Sequence, residues 1–223
     1  MSDKTKKLSG VNTVLFDLDG TLMDSNGVII ETWQHTVREL AGWEITAEVV
    51  YTTFGEMLVD SMRRLIPEVD IEYARDFFRD YQRVIFLDRI KFFDGTEEVL
   101  RRIKTAGYKN AIVTSRLKTS TEKALSHFKI RDLFDAVLTA SDIDKFKPDP
   151  APLFMTLDMI DSKPEEAIII GDTIHDIEAG RAAGTMTALV DWSIAVPPEK
   201  RGEEPTPDFI IEKLIDIPDM MGI

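Results

Sequence analysis

The apolar positions of this chain follow two rhythms. Short unbroken runs recur at Val14-Leu15-Phe16, Ala111-Ile112-Val113, Ala136-Val137-Leu138, Ala167-Ile168-Ile169-Ile170, Ala188-Leu189-Val190 and Phe209-Ile210-Ile211. Runs of that length without polar interruption suit strands covered on both faces. Between them lie stretches with apolar residues three and four apart. These predict helices over 97–106, 120–128, 150–160 and 174–183, with Gly107 and Gly184 as stops. Strands alternating with helices predict a doubly wound α/β architecture, a parallel sheet with helices on both faces. Residues 12–16 are its first strand.

From Ser25 to about Leu87 only the helical rhythm is present. Ile30, Trp33, Val37, Leu40 and Ala41 predict one helix ended by Gly42. Met57, Leu58, Met62 and Leu65 predict a second, stopped by Pro67, and Tyr73, Phe77, Tyr81 and Val84 a third. No strand is predicted there. The block is therefore an insertion between the first and second strands, hinged near Met23-Asp24 and Lys91-Asp94. Residues 1–23 and 92–223 form the core, and residues 24–91 the inserted helical domain. Pro197–Pro207 reads as a proline-rich polar loop.

Composition narrows the partners. The formal net charge of −13 disfavours nucleic acid and anionic membranes, which need basic surfaces. With no cysteine, thiolate chemistry and Cys-ligated metals are excluded. The start, Met1 to Lys7, is charged with no apolar signal region, and no stretch reaches membrane-spanning length. The chain reads as a soluble cytoplasmic protein. Within 24–91, thirteen Asp and Glu face eight Lys and Arg, so the insertion as a whole does not attract anions.

The candidate chemistry lies where strands end. Asp17-Leu18-Asp19-Gly20-Thr21 places two carboxylates on one side of a strand tip, where they repel unless a cation, a shared proton or a chemical task accounts for them. Val113-Thr114-Ser115 puts hydroxyls at another tip, and Lys147-Pro148-Asp149-Pro150 puts a lysine before a proline-started helix. Gly171-Asp172 ends a further strand, with Asp176 in the next helix's first turn. In a parallel sheet these ends share one edge, so Asp17, Asp19, Thr114, Lys147, Asp172 and Asp176 converge. Oxygen ligands from Asp17, Asp172 and Asp176 suit Mg²⁺, while Lys147 and Thr114 suit phosphate oxygens. One early aspartate can be a nucleophile and the other can shuttle protons.

These four segments, in order, resemble the motifs of the haloacid dehalogenase-like phosphohydrolase superfamily. The resemblance implies a Rossmann-like core with a helical cap over 24–91 that closes over the site. It implies Asp17 as nucleophile and Asp19 as general acid and base. Thr114, Ser115 and Lys147 would bind phosphate, with Ser115 contributing backbone. Mg²⁺ would be held by Asp17, Asp172 and the Asp19 carbonyl, with Asp176 orienting its shell. Within the superfamily the chain is most similar to the phosphoglycolate phosphatase group and its PpaX-type pyrophosphatase branch, through Asn26-Gly27-Val28-Ile29-Ile30 to Gln34-His35-Thr36 and through Asp191-Trp192-Ser193. The substrate expected is a small phosphorylated compound, pyrophosphate or phosphoglycolate, and the expected assembly is a monomer.

Three rival readings stand beside this one. A β-phosphoglucomutase-like mutase is disfavoured because Ile29 stands five positions after Asp24, where that group usually carries histidine. A phospho-aspartate receiver domain does not need the helical insertion, nor a hydrolytic acid beside its nucleophile. A non-catalytic binding protein would not need every chemical position filled. Gly55, Glu56, Arg63 and Arg64 of the cap have no role fixed by sequence. Lys145 competes with Lys147 only as a surface neighbour. His175 reads as site-adjacent or as a helix-turn residue, and Trp33, Trp43 and Trp192 as packing residues.

Overall fold

The structure, a computed structural model, describes residues 8–223, so the charged opening Met1 to Lys7 lies outside the described residues. Strand β1 (Thr13–Phe16) leads to β2 (Met23–Asp24), then α1 (Asn26–Ala41), α2 (Ala47–Tyr51), α3 (Leu58–Leu65) and α4 (Ile71–Arg89), and β3 (Lys91–Phe92). There follow α5 (Thr96–Thr105), β4 (Lys109–Val113), α6 (Lys118–His127), β5 (Ala136–Leu138), α7 (Ala151–Met159) and β6 (Ala167–Gly171). The chain finishes with α8 (Ile174–Ala183), β7 (Met186–Val190), β8 (Phe209–Ile211) and α9 (Asp216–Met221). Two compact units result: one holds the described residues up to Met23 and from Phe92 onward, the other Asp24–Lys91.

The first unit is a six-stranded sheet in the order β5-β4-β1-β6-β7-β8, every pairing parallel. This is the doubly wound α/β architecture that the sequence predicts. Phe16, the last residue of β1, sits opposite Ile112 of β4 and Ile170 of β6. The chain builds outward from β1 to β4 and β5, then crosses back to β6 on the other side. The carboxyl ends of β1, β4 and β6 therefore flank a topological switch point, where open α/β sheets bind ligands.

Burial explains the unbroken apolar runs. All of β1 is buried, with Val14, Leu15 and Phe16 fully inaccessible. Leu15 and Ile169 point to the face covered by Leu153 and Leu157 of α7 and Ala179 and Ala183 of α8. Val99, Leu100 and Ile103 of α5 are buried against the sheet as well. Each such side chain contributes about 1.5–3 kcal/mol relative to exposure. Helix α8 lies so close that a Cβ on Gly180 would fall 2.4 Å from Ile169 Cγ2 and 2.6 Å from Thr187 Cγ2.

The second unit has its own core, in which Trp33, Val37, Met62, Ile66 and Phe78 cluster and the Trp33 and Phe78 rings meet edge to face at 5.1 Å. Gly42 ends α1 in the left-handed region at φ +76°, donating its N–H to the Arg38 carbonyl. Asp70 caps α4 by accepting the Tyr73 N–H at 2.8 Å. The sequence did not predict α2, α9 or the two-residue strands β2 and β3, which pair with each other. These pieces are too short to show a period and form because tertiary neighbours hold them. Among the described residues no helix is long and apolar enough to cross a membrane.

The tight α8–sheet approach predicts opposite outcomes for two glycines. Gly180→Ala should cost about 1–3 kcal/mol by overpacking and lower Tm by roughly 2–10 °C. Gly27→Ala, in α1 with open space around its Cβ, should leave Tm unchanged or raise it, since Ala favours helix by up to about 1 kcal/mol. Thermal unfolding followed by circular dichroism reads both.

Candidate active site

Asp17 continues the course of β1, its N–H donating to Ile170 O at 2.9 Å. The chain then turns at Gly20, which has φ +78° and donates its N–H to Met23 O at 2.8 Å. A Cβ at Gly20 would lie 2.2 Å from Asp172 Oδ2, so only glycine lets this backbone pass over the Asp172 carboxylate. Thr114 follows β4, Asp172 follows β6, and Asp176 sits in the first turn of α8. There Asp176 Oδ2 accepts from Thr173 N at 3.1 Å and Thr173 Oγ1 at 2.7 Å, half of a capping box.

Lys147 joins these loops. Its ammonium donates to Asp17 Oδ1 at 2.7 Å, to Asp176 Oδ1 at 2.6 Å and to the Val113 carbonyl at 2.9 Å. All of its donors are used. Burial alone would lower its pKa, but the Asp17 and Asp176 carboxylates carry it above the ordinary lysine value. Burial pushes Asp17 up to about 7, against the pull of Lys147, with Asp176 and Asp19 adding to the rise. Burial, reinforced by Asp17 and Asp176, likewise lifts Asp172 well above the usual carboxylate range.

Asp19 takes a different cation. Arg116 grips it bidentately, Nε to Oδ2 at 2.7 Å and Nη2 to Oδ1 at 2.8 Å, with the guanidinium side chain only 7% exposed. Arg116 is itself fixed: its N–H donates to Thr114 Oγ1 at 3.1 Å, and its carbonyl accepts from Ala140 N at 3.0 Å. The repulsion expected between Asp17 and Asp19 is thus answered by two separate cations, and sequence reasoning missed the second. An arginine two residues past Thr114 reads as an ordinary loop charge. The available signal was the imbalance of four converging carboxylates against one lysine.

The structure brings Asp17, Asp172, Asp176 and Lys147 into one buried group, with Thr114 buried at the next strand end. Ser115 is exposed. Among the described residues no three carboxylates or imidazoles stand grouped as a ready metal cage. Mg²⁺ needs no such cage, since it takes one or two carboxylates and keeps waters. Asp172 Oδ1 is buried and has no hydrogen-bond partner among the described residues, a donor set that a divalent cation fits.

Elsewhere, His175 Nδ1 is buried without a hydrogen-bond partner among the described residues, while His35 stacks on Tyr81 and Phe77 at 3.8 and 5.4 Å. Trp33 is core and Trp43 exposed, whereas Trp192 donates its indole N–H to Gly20 O at 3.0 Å. Arg64 braces its own unit, donating to Glu56 at 2.7 Å and to the Thr52 carbonyl at 3.2 Å. Arg63 pairs with Asp60 at 2.9 Å on the surface.

Residues 14–190 match the family model described as haloacid dehalogenase-like hydrolase. Pyrophosphatase PpaX of Bacillus cereus is 35% identical over 93% of this chain and 94% of its own length. A predicted phosphoglycolate phosphatase of Haemophilus somnus shares the fold at TM-score 0.85 and 21% identity, covering 96% of this chain and 99% of that one. A haloacid dehalogenase-like family hydrolase of Streptococcus pneumoniae does so at TM-score 0.82 and 23% identity, covering 94% and 98%. The chain belongs to the haloacid dehalogenase-like hydrolases.

Two stability predictions follow from the buried charges. Lys147→Ala removes the cation from two buried carboxylates and should cost about 3–5 kcal/mol at pH 8. Asp172→Asn should stabilise the metal-free protein. A carboxyl whose folded pKa lies above its unfolded one loses stability as pH rises through that interval. The gain of Asp172→Asn over wild type should therefore be absent near pH 3 and grow toward pH 8, as urea unfolding in EDTA will show.

Proposed function

We propose that this haloacid dehalogenase-like hydrolase is a phosphatase that cleaves a small phosphorylated substrate, pyrophosphate first and phosphoglycolate second, through an aspartyl-phosphate on Asp17. The observation that carries this reading is the buried Asp17 carboxylate at the tip of β1, held on one oxygen by Lys147. The likeness to a pyrophosphatase across nearly the whole chain supports pyrophosphate as the first choice.

In the first half-reaction an Asp17 oxygen attacks phosphorus, the Asp17–phosphorus bond forms, and the bond to the leaving oxygen breaks. Asp19 gives that oxygen a proton, and the bidentate Arg116 grip sets the plane of its carboxylate. In the second half Asp19 takes a proton from water, the water oxygen attacks phosphorus, and phosphate leaves with Asp17 restored. Lys147 favours the ionised form of Asp17 that attack requires, and Thr114 and Ser115, after β4, are read as donors to phosphate oxygens. Mg²⁺, when bound by Asp17, Asp172 and the Asp19 carbonyl with Asp176 behind them, would offset charge on the phosphoryl oxygens. Residues 24–91 are read as the family's helical cap, and the enzyme as a cytoplasmic monomer.

Phosphate release from pyrophosphate, phosphoglycolate, glucose 1-phosphate and a nucleoside monophosphate, each with Mg²⁺ or EDTA, tests the assignment. Turnover is expected only with Mg²⁺ and highest on pyrophosphate. Asp17→Asn should lower kcat by at least about a thousandfold while the protein stays folded, as expected when a covalent nucleophile is lost. Full activity in that variant would sink the mechanism.

A further inference from the structure

The opening residues of the loop between β7 and β8 touch both acidic strand ends. Trp192 Nε1 donates to Gly20 O at 3.0 Å, directly after the segment bearing Asp17 and Asp19. Ser193 Oγ donates to Asp172 O at 2.5 Å and accepts the Val196 N–H at 2.9 Å. The loop is itself anchored. Asp191 N donates to Ile211 O at 2.9 Å, prolonging the β7–β8 pairing. Arg201 donates to the Asp191 carbonyl at 2.5 Å, to the Asp191 carboxylate, and to Val196 O at 3.4 Å, bracing the first part of the loop. The Trp192 ring rests on Phe93, with centroids 5.1 Å apart.

These contacts bear on Asp172. Its Oδ1 is buried without a hydrogen-bond partner among the described residues. Nothing bonded to that oxygen fixes its direction, so orientation must come from the backbone and from packing. Ser193 fixes the Asp172 peptide. Gly20 packs against Oδ2 so closely that a Cβ would fall 2.2 Å away, and Trp192 fixes the Gly20 peptide. One loop thus holds the Asp172 carboxylate from both sides while touching neither of its oxygens.

We propose that Trp192 and Ser193 are positioning residues that preset the Asp172 carboxylate for a divalent cation. The inference rests on the reading of Asp172 as a metal ligand. Groups behind a ligand typically set metal affinity by about 10–100-fold. Neither residue touches substrate or the reacting atoms in this scheme; both act through Asp172.

Isothermal titration of the metal-free full chain with Mg²⁺ tests it, on wild type, Ser193→Ala and Trp192→Phe. Ser193→Ala removes the donor to Asp172. Trp192→Phe keeps a ring against Phe93 and removes the donor to Gly20, so it serves even if Ser193→Ala fails to fold. Each folded variant is expected to bind Mg²⁺ at least about tenfold more weakly than wild type. Phosphate release should be recovered when Mg²⁺ is raised in proportion. Folded variants with wild-type Mg²⁺ affinity would overturn the inference alone. Wild-type protein that binds no Mg²⁺ and turns over equally in EDTA would overturn the metal reading beneath it.

Discussion

The Lys147 ammonium between Asp17 and Asp176 is the contact on which the site depends. It is buried, all of its donors are used, and it ties three segments that are far apart in sequence. A buried ion pair gains little over well-packed apolar residues, but losing one partner strands the other charge in a poor medium. Asp176 shares the contact with a local duty. One of its oxygens meets Lys147 and the other caps α8, so the helix cannot shift without moving the charge. The geometry of the sheet edge and the first turn of α8 are thereby one structure.

In formal charge, Asp17, Asp19, Asp172 and Asp176 exceed Lys147 and Arg116 by two. The surplus is held in a buried place, which is why Asp17 and Asp172 are driven toward protonation. A dication cancels such a surplus and a monovalent ion does not.

Much of this was legible in the sequence because burial on both faces leaves a direct mark. Unbroken apolar runs located β1, β4, β5, β6, β7 and β8 to within one or two residues, and Gly42 and Gly184 marked helix ends by the conformation they adopt. Acidic and basic residues directly after those runs were legible for the same reason, since strand ends are countable. Asp17 and Asp172 were legible that way, Asp176 from the first turn of the following helix and Lys147 from the proline-started helix after it, and the four are brought together. Arg116 was not, because a loop arginine looks alike whether it points to water or is buried against Asp19. In the sequence Trp192 reads as a packing residue and, with Ser193, as part of a family likeness, since hydrogen bonds to main-chain carbonyls leave no residue-type signature at the receiving end. Helices α2 and α9 and the paired strands β2 and β3 are shorter than any period that could reveal them.

The strand order has a further consequence, for biosynthesis. β1 is made first and ends in the middle of the sheet, between β4 and β6. A nascent chain must therefore carry the apolar Val14-Leu15-Phe16 run while nearly a hundred residues are added before its first neighbour exists, and some sixty more before its second. Such late, long-range pairing is slow and leaves strand edges open to wrong partners. The bond from Trp192 to Gly20 spans 172 residues, so the acidic edge is complete only when most of the chain has left the ribosome. A truncated or stalled product would hold the carboxylates but not the Trp192 and Ser193 bonds behind them.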